Sequence, residues 1–344
     1  MNISFLSPVR VILLLILSPI LLSCGGESVQ MSVINFNMDL FDTCSVKMAD
    51  TVKVPVTGEC FGELYDSRYG YIVGQRDGGE TLHLVDTITS ELKYTFGHTG
   101  RGPNEFIAPA MVDMDYSGGF LYINDAPKGE LSRIVLQENS AYIDTSFLVS
   151  GLYTGWSGVD DSLCISLYDF DNKAALSLIN VNQGTENRFI HSLLEDKRIT
   201  NPVFVTNQSS VRLCRKKNLA VCMGAMLPAV ACYSYNAKEM TLEWRLFLEE
   251  NIYHMAGGMP LAHDNIRFDI NRTCLTDNYI YLALKKRREM ADGFNYVLRV
   301  DYTGRPVNLY KIACNFNSFL ITRDESTLVG LAGELEGYLV RVAL

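Results

Sequence analysis

Lys285-Lys286-Arg287-Arg288 is the densest run of charge in the chain, and a cationic cluster of this kind can grip a polyanion. Its setting, after an apolar strand-like run and before Asp292-Gly293, reads instead as a solvated hairpin tip. Three acidic pairs, Asp160-Asp161, Glu249-Glu250 and Asp324-Glu325, place carboxylates side by side. Neighbours in a strand face opposite sides, so such a pair cannot work as acid and base on one glycosidic bond. A glycan hydrolase or lyase would need carboxylates gathered from distant parts of the chain. The five histidines, His83, His98, His191, His254 and His263, have no HxH or HExxH spacing, and no Cys/His cluster has the spacing of a zinc site. No metal or cofactor is expected. With no GxSxG elbow, Walker loop or dinucleotide fingerprint in the sequence, the expectation is a binding protein rather than an enzyme.

The one residue whose chemistry is well specified is Cys24. The chain begins MNISFLSPVRVILLLILSPILLSCGG, with Arg10 as the only charge before twelve largely apolar residues, Val11 to Leu22. That is the pattern of a secretory signal. As a helix, twelve residues span roughly 18 Å, short of the ~30 Å hydrocarbon core. Leu21-Leu22-Ser23-Cys24 looks like a bacterial lipobox, in which a nucleophilic thiol follows a small residue, is alkylated with diacylglycerol, and becomes the new N-terminus after cleavage. Acyl chains contribute about 0.8 kcal/mol per buried CH₂, so a multiply acylated Cys24 would hold the chain on a membrane. The expected organisation is a lipoprotein signal peptide at 1–23, a lipidated N-terminus and leash at 24–44, and a single domain at 45–344. The expected address is the bacterial cell envelope, the outer membrane in preference, on either its periplasmic or its surface face.

The chain carries 30 Lys+Arg against 39 Asp+Glu, a net charge of −9, and loss of Arg10 with the leader makes it one unit more negative. An acidic surface argues against nucleic acid and anionic lipid head groups as partners. An envelope protein or a glycan is the expected partner. Of nine cysteines, eight follow Cys24. An even number in an exported chain invites disulfides, yet Leu163-Cys164-Ile165, Val221-Cys222-Met223 and Ala231-Cys232-Tyr233 lie in apolar strand-like runs. Thiols in such runs behave as small buried hydrophobes, so mostly reduced cysteines are expected, with room for one or two bridges.

Helical periodicity is scarce, and short alternating or apolar runs bounded by Gly, Asp and Asn recur throughout, the signature of an all-β fold. From Asp277 the chain reads as a strand (Tyr279 to Leu284), a polar connection, a strand (Tyr296 to Asp301), a Thr303-Gly304 turn and a strand (Pro306 to Ile312). The same order recurs from Ser67, Gly118, Asp160, Lys217 and Asp324, at spacings of roughly 40 to 60 residues, within the range of propeller blades. Six units, each with a short inner strand before the three clear ones, predict a six-bladed β-propeller with four-stranded blades. The last unit ends at Leu344 after its third strand. Its missing outer strand is assigned to residues 45–56, where Val52, Val54 and Val56 alternate, which would close the ring with an N-terminal strand.

Between the first and second units lies Gly97-His98-Thr99-Gly100-Arg101-Gly102-Pro103-Asn104-Glu105-Phe106. Glycines there can take positive φ and Pro103 fixes its own φ near −65°. Glu105 can cap backbone amides or pair with Arg101, and Phe106 can plug the gap between two sheets. With the following FLYINDAPKGELSRIVL, this segment resembles the TolB-like six-bladed propellers found in lipoproteins of some Gram-negative bacteria. Those proteins carry a G-(R/K)-x-G-x-G-P-G-E-F-type corner. Asn104 stands where they usually have glycine, and asparagine tolerates a left-handed backbone. The resemblance implies an architecture and a corner or channel mouth at Arg101, Glu105 and Phe106, and it implies no activity. Tyr253-His254-Met255-Ala256-Gly257-Gly258-Met259-Pro260 reads as a flexible rim loop or as packing between blades.

Overall fold

The computed structural model describes residues 32–344 except 36–42, 47, 58, 66–68, 76–79, 87–88, 90, 116–119, 149–155, 159–162, 167–175, 181–184, 190–193, 195, 199–208, 225–226, 237, 288–292, 323 and 333–335. Cys24 and the whole apolar leader lie outside the described residues.

Three strands come first: β1 (Ser32–Asn35), β2 (Thr43–Val46) and β3 (Met48–Thr57). A first sheet follows with β4 (Glu59–Tyr65), β5 (Tyr69–Gln75), β6 (Glu80–Asp86), β7 (Leu92–Thr99) and the two-residue β8 (Glu105–Phe106). The second holds β9 (Pro109–Asp115), β10 (Phe120–Asp125), β11 (Glu130–Leu136) and β12 (Ala141–Leu148). The third holds β13 (Trp156–Gly158), β14 (Leu163–Ser166), β15 (Leu176–Asn180) and β16 (Thr185–Phe189). The fourth is built from β17 (Ser209–Cys214), β18 (Leu219–Gly224), β19 (Ala229–Tyr235) and β20 (Met240–Phe247). A separate hairpin, β21 (Tyr253–Ala256) and β22 (Met259–Ala262), precedes the fifth sheet of β23 (Phe268–Leu275), β24 (Tyr279–Lys286), β25 (Phe294–Asp301) and β26 (Pro306–Phe316). The sixth takes β27 (Ser318–Ile321), β28 (Thr327–Ala332) and β29 (Glu336–Ala343). Among the described residues no α-helix occurs, and the only helical turns are 3-10 turns at Ala126–Lys128 and Arg215–Lys217.

Apart from the short parallel β8 at the edge of the first, each of the six sheets is an antiparallel meander in chain order, and the first strands of successive sheets lie side by side: β9 with β13, β13 with β17, β17 with β23, β23 with β27, and β27 with β4. The three N-terminal strands do not form a sheet of their own. β1 adds beside β20, β2 runs parallel to β26, and β3 pairs antiparallel with β29. Among the described residues, strand pairing is present from Ser32, inside the stretch that the sequence assigned to a leash at 24–44, and the fourth and fifth sheets gain a fifth strand. Four strands per sheet was the expectation, and the extra edges come from a segment whose hydrogen-bonding partners lie more than a hundred residues away.

The core sits between the faces of neighbouring sheets. Along β24, Ile280, Leu282 and Leu284 join the cluster shared with the fourth sheet, whereas Tyr281 and Ala283 join the cluster shared with the sixth. Alternation along a strand delivers successive side chains to opposite faces. Because both faces are covered, the strand reads as the unbroken apolar run YIYLAL rather than as alternating polar and apolar. A register shift between Phe294 and Tyr296 turns Phe294 to the opposite face from Tyr296, and it packs against Phe316 and Phe319 at ring separations of 5.7 and 5.4 Å. Full burial of each such side chain contributes about 1.5–3 kcal/mol.

Candidate functional site

Strand direction decides which connections share an end of the molecule. In each meander the link from the second strand to the third emerges at the end where the first strand is entered, which is also where the link from the preceding sheet arrives. The register of the second sheet shows this, since Asp125 at the end of β10 lies opposite both Pro109, the first residue of β9, and Glu130, the first of β11.

The corner from Gly97 to Phe106 is therefore built against the β10–β11 turn. Its loop folds back so far that β8 lies parallel to β7, with the His98 amide donating to the Asn104 carbonyl at 3.3 Å and the Gly100 amide to that of Phe106 at 2.9 Å. Asn104 has φ 58° and Gly97 has φ 76°, both in the left-handed region. A Cβ on Gly97 would stand 2.6 Å from Phe106 Cε2. Phe106, 2% exposed, packs with Leu82 and Leu84 of the first sheet and Leu121, Ile123 and Ile134 of the second. Glu105 turns inward and accepts the Gly102 amide at 2.5 Å. Arg101 is exposed, and among the described residues no ion pair joins it to Glu105.

Asp125, which the sequence reading passed over, holds the exit of the corner. It is 2% exposed, and its carboxylate accepts the amides of Ile107 at 2.8 Å and Ala108 at 3.1 Å. Lys128 donates to the Glu105 carbonyl at 3.3 Å and pairs with Glu130 at 2.8 Å. Glu105, Asp125 and Phe106 thus fix the joint, and Arg101 is left on its outer surface.

The corresponding link into the fifth sheet, from Leu248 to Arg267, is richer in chemistry. Ala256 pairs with Met259 across Gly257-Gly258, both at positive φ (59° and 79°), the type I′ turn that suits the twist of a two-residue hairpin. The stretch expected as either a flexible rim or packing between blades forms a hairpin, and its Gly-Gly pair between apolar residues was the available signal. The hairpin brings the rings of His254 and His263 to 5.0 Å. Ile252 and Ile266 at its base pack with Leu194, Leu227 and Ala229. Tyr253 donates to Asp196 at 2.9 Å, and Asp196 also receives the Arg198 side chain and amide. The Arg198 hydrogen bonds hold the Asp196 carboxyl far below the usual carboxylate range.

Beside the hairpin, two acids and two arginines interlock. Glu249 accepts the Arg267 amide at 2.7 Å and lies 3.7 Å from its guanidinium, while Arg287 sits 3.3 Å from Asp269 and donates to the His263 carbonyl at 3.3 Å. Lys285 and Lys286 are the last residues of β24, paired with Asp269 and Phe268. The basic run is therefore not a free hairpin tip: Arg287 folds back on the link, and Arg288 lies outside the described residues. Burial raises the Asp269 pKa, with nearby Glu249 adding to the rise and Arg287 and Lys285 opposing it. The cluster presents alternating charge suited to recognising a polar ligand. Each carboxylate is engaged by an arginine rather than poised beside a nucleophile. Among the described residues no group of His, Cys, Asp and Glu could hold a metal ion.

The thiols lie elsewhere, with Cys214, Cys222, Cys232 and Cys274 buried and free of disulfides, and Cys314 partly buried and also free. Burial pushes the Cys222 and Cys232 thiols far up and Cys274 up to about 11.

No family model and no curated protein matches the chain. Solved structures do. A member of the DUF4221 family from Bacteroides vulgatus aligns with a TM-score of 0.55 at 10% identity, over 87% of this chain and 97% of that one. A candidate exported protein of Bacteroides fragilis aligns with a TM-score of 0.57 at 10% identity, over 91% and 99%. The WD40 repeats of RRP9 align with a TM-score of 0.53 at 7% identity, over 88% and 100%. WD40 repeats form β-propellers, and that is the fold of this chain. None of these neighbours is a TolB-like protein by name, so the narrower resemblance rests on the corner and the FLYINDAPKGELSRIVL segment that follows it.

Proposed function

We propose that the protein is an exported, lipid-anchored β-propeller that works as a binding or scaffolding module of the cell envelope, tethered through Cys24 to the outer membrane. The observation that carries this reading is that the corner entering the second sheet and, at the fifth sheet, the β21–β22 hairpin with the Glu249/Arg267/Asp269/Arg287 cluster each stand at the end where their sheet is entered. Rigid sheets that present several loops at one end are a common platform for recognition. A six-bladed count is supported by the six sheets of four or five strands among the described residues, and closure of the ring by the pairing of β3 with β29. The partner is an envelope protein or a glycan; the acidic net charge of −9 weighs against nucleic acid.

The test is crosslinking of the tagged protein in its native cells, followed by identification of what is captured. One stoichiometric partner, lost on Arg267→Ala/Arg287→Ala substitution, is the expected result; capture indifferent to that substitution refutes the binding face. Cys24→Ala should release the protein from membranes, and a variant that still fractionates with them refutes the anchor. The rival reading, a glycan hydrolase or lyase, draws on the raised pKa of Asp269 beside Glu249. It requires that Asp269→Asn abolish turnover of some envelope polysaccharide.

A further inference from the structure

We propose that β12, the outer edge of the second sheet, pairs with the same strand of a second copy of this chain, joining two propellers by an antiparallel, two-fold strand contact. The contact uses an outer strand rather than the links between sheets, so its test is independent of the binding face described above.

The outer strands of the six sheets are not treated alike. β20, β26 and β29 are covered by β1, β2 and β3, and β8 covers the end of β7. Among the described residues no strand lies beyond β12 or β16. A bare edge presents unpaired amides and carbonyls, and proteins blunt it with charge or by keeping it short. The open part of β7 carries Lys93, which reaches Glu91 at 3.4 Å. β16 has five residues, and two of them are Glu186 and Arg188. β12 has eight residues and a single charge, Asp144, which Arg133 of the neighbouring strand neutralises. Among the described residues the large apolar side chains left exposed are Tyr142 (46%) and Leu148 (86%), and both belong to β12.

The strand is also complementary to itself. β11 alternates without interruption against β10, so its partners show which face each residue of β12 occupies. Ala141, Ile143, Ser146 and Leu148 stand opposite Leu136, Ile134, Ser132 and Glu130 on one face, and Tyr142, Thr145 and Phe147 stand opposite Val135, Arg133 and Leu131 on the other. Asp144 is the extra residue of a bulge, and its bond to Arg133 keeps it on the face of Thr145. The bulge reverses the alternation midway along the strand. When two copies overlap antiparallel along their whole length, every pair therefore shares a face; an unbulged strand of eight residues would set opposite faces together. In that register Tyr142 meets the partner's Phe147, and Leu148 meets the partner's Ala141. Ile143 meets the partner's Ser146, and Asp144 meets the partner's Thr145. Each exposed apolar side chain finds an apolar one and no carboxylate faces another, whereas a slip of one residue toward Tyr142 would oppose the two Asp144 side chains. Both copies gain the same contacts at once, as an isologous interface requires.

The experiment is sedimentation velocity of the chain without its leader, carrying Cys24→Ser so that no acyl chain is attached, at about 1 to 100 µM protein. A reversible monomer–dimer equilibrium is expected. Tyr142→Lys and Leu148→Lys alter exposed positions and act twice in a two-fold dimer, so each should raise its Kd by roughly 10-fold or more. Register is read by mild oxidation with copper–phenanthroline. In the double variant Ala141→Cys/Leu148→Cys the new thiols stand opposite each other at the ~5 Å separation of paired strands, which a disulfide spans. It should give a covalent dimer above the wild-type background. Either single variant should not, because its two thiols lie roughly 23 Å apart at opposite ends of the pair. Should a lysine variant fail to fold, the cysteine pair still decides. A monomer at every concentration overturns the proposal and leaves the edge to a strand of a different protein. A dimer indifferent to both lysines overturns it too, as does crosslinking by a single variant that equals the double.

Discussion

Asp125→Ala should loosen the joint between the first and second sheets, and the size of the effect can be worked from the corner. The carboxylate accepts two backbone amides, at 2.8 and 3.1 Å, from a position only 2% exposed. Hydrogen bonds to a charged group contribute about 1.5–3 kcal/mol each, and a donor left buried without a partner costs a comparable amount. Ala108 is exposed and Ile107 partly so, so water can recover some of the loss, and the lower end, about 3 kcal/mol, is the expected cost. For a large domain each kcal/mol shifts Tm by about 2–4 °C, which predicts a fall of roughly 6–12 °C by circular dichroism. Asp125→Asn keeps one acceptor oxygen and should fall about half as far. Amide exchange at residues 107 and 108 should accelerate in the alanine variant before any global change. An Asp125→Ala protein that melts within about 2 °C of the wild type, with unchanged exchange at those amides, would refute the account of the joint.

Gly97→Ala should cost about 2–3 kcal/mol, because the residue adopts φ 76° and the new methyl would press on Phe106; Asn104→Gly, at φ 58°, should stay within about 0.5 kcal/mol of the wild type in urea denaturation. Acid stability should depend on Asp301. Burial works upward on its pKa, but hydrogen bonds from Thr303 and Arg305 outweigh that and hold it below the usual value. A depressed folded pKa gives stability that is present above the unfolded value near 4 and lost as pH falls through the folded one. Asp301→Asn should therefore flatten the decline in Tm on acidification below about pH 4, and an unaltered acid profile would discount those bonds. Iodoacetamide at pH near 8 should leave Cys222 and Cys232 unmodified in the native protein and alkylate them in urea, as buried thiols with raised pKa values require. Rapid native labelling read by mass spectrometry would contradict their placement.

What the sequence disclosed was what local chemistry controls. The strands expected from Tyr279, Tyr296 and Pro306 appear as β24, β25 and β26, each starting within two residues of its expected position. The Thr303-Gly304 turn forms with Asp301 accepting its amides and Gly304 at φ 85°. Asn104 adopts the left-handed backbone that its place in the corner demanded. The alternating valines near residue 52 belong to a strand that completes the last sheet. What stayed hidden depends on partners remote in the chain. Nothing in Ser32–Asn35 or Thr43–Val46 announces that these short segments lie along β20 and β26. The role of Asp125 rests on amides 17 and 18 residues earlier. The histidine pair arises from hairpin register rather than motif spacing.

The pairing of β3 with β29 sets Val52 against Leu339, a contact spanning most of the chain. Contacts of such separation form slowly, because the intervening loop must close before they return any stabilisation. Of the described strands, synthesis supplies β3 among the first and β29 after all the others. Throughout elongation β3 therefore presents an unpaired edge with alternating valines, the kind of edge on which foreign strands assemble. A ribosome stalled before the codons of β29 (Glu336–Ala343) would leave a chain with nearly every sheet complete and that edge still open. Protection of one early strand until β29 arrives is thus a requirement of the topology, and truncations that remove β29 and little else should be the ones most prone to aggregate.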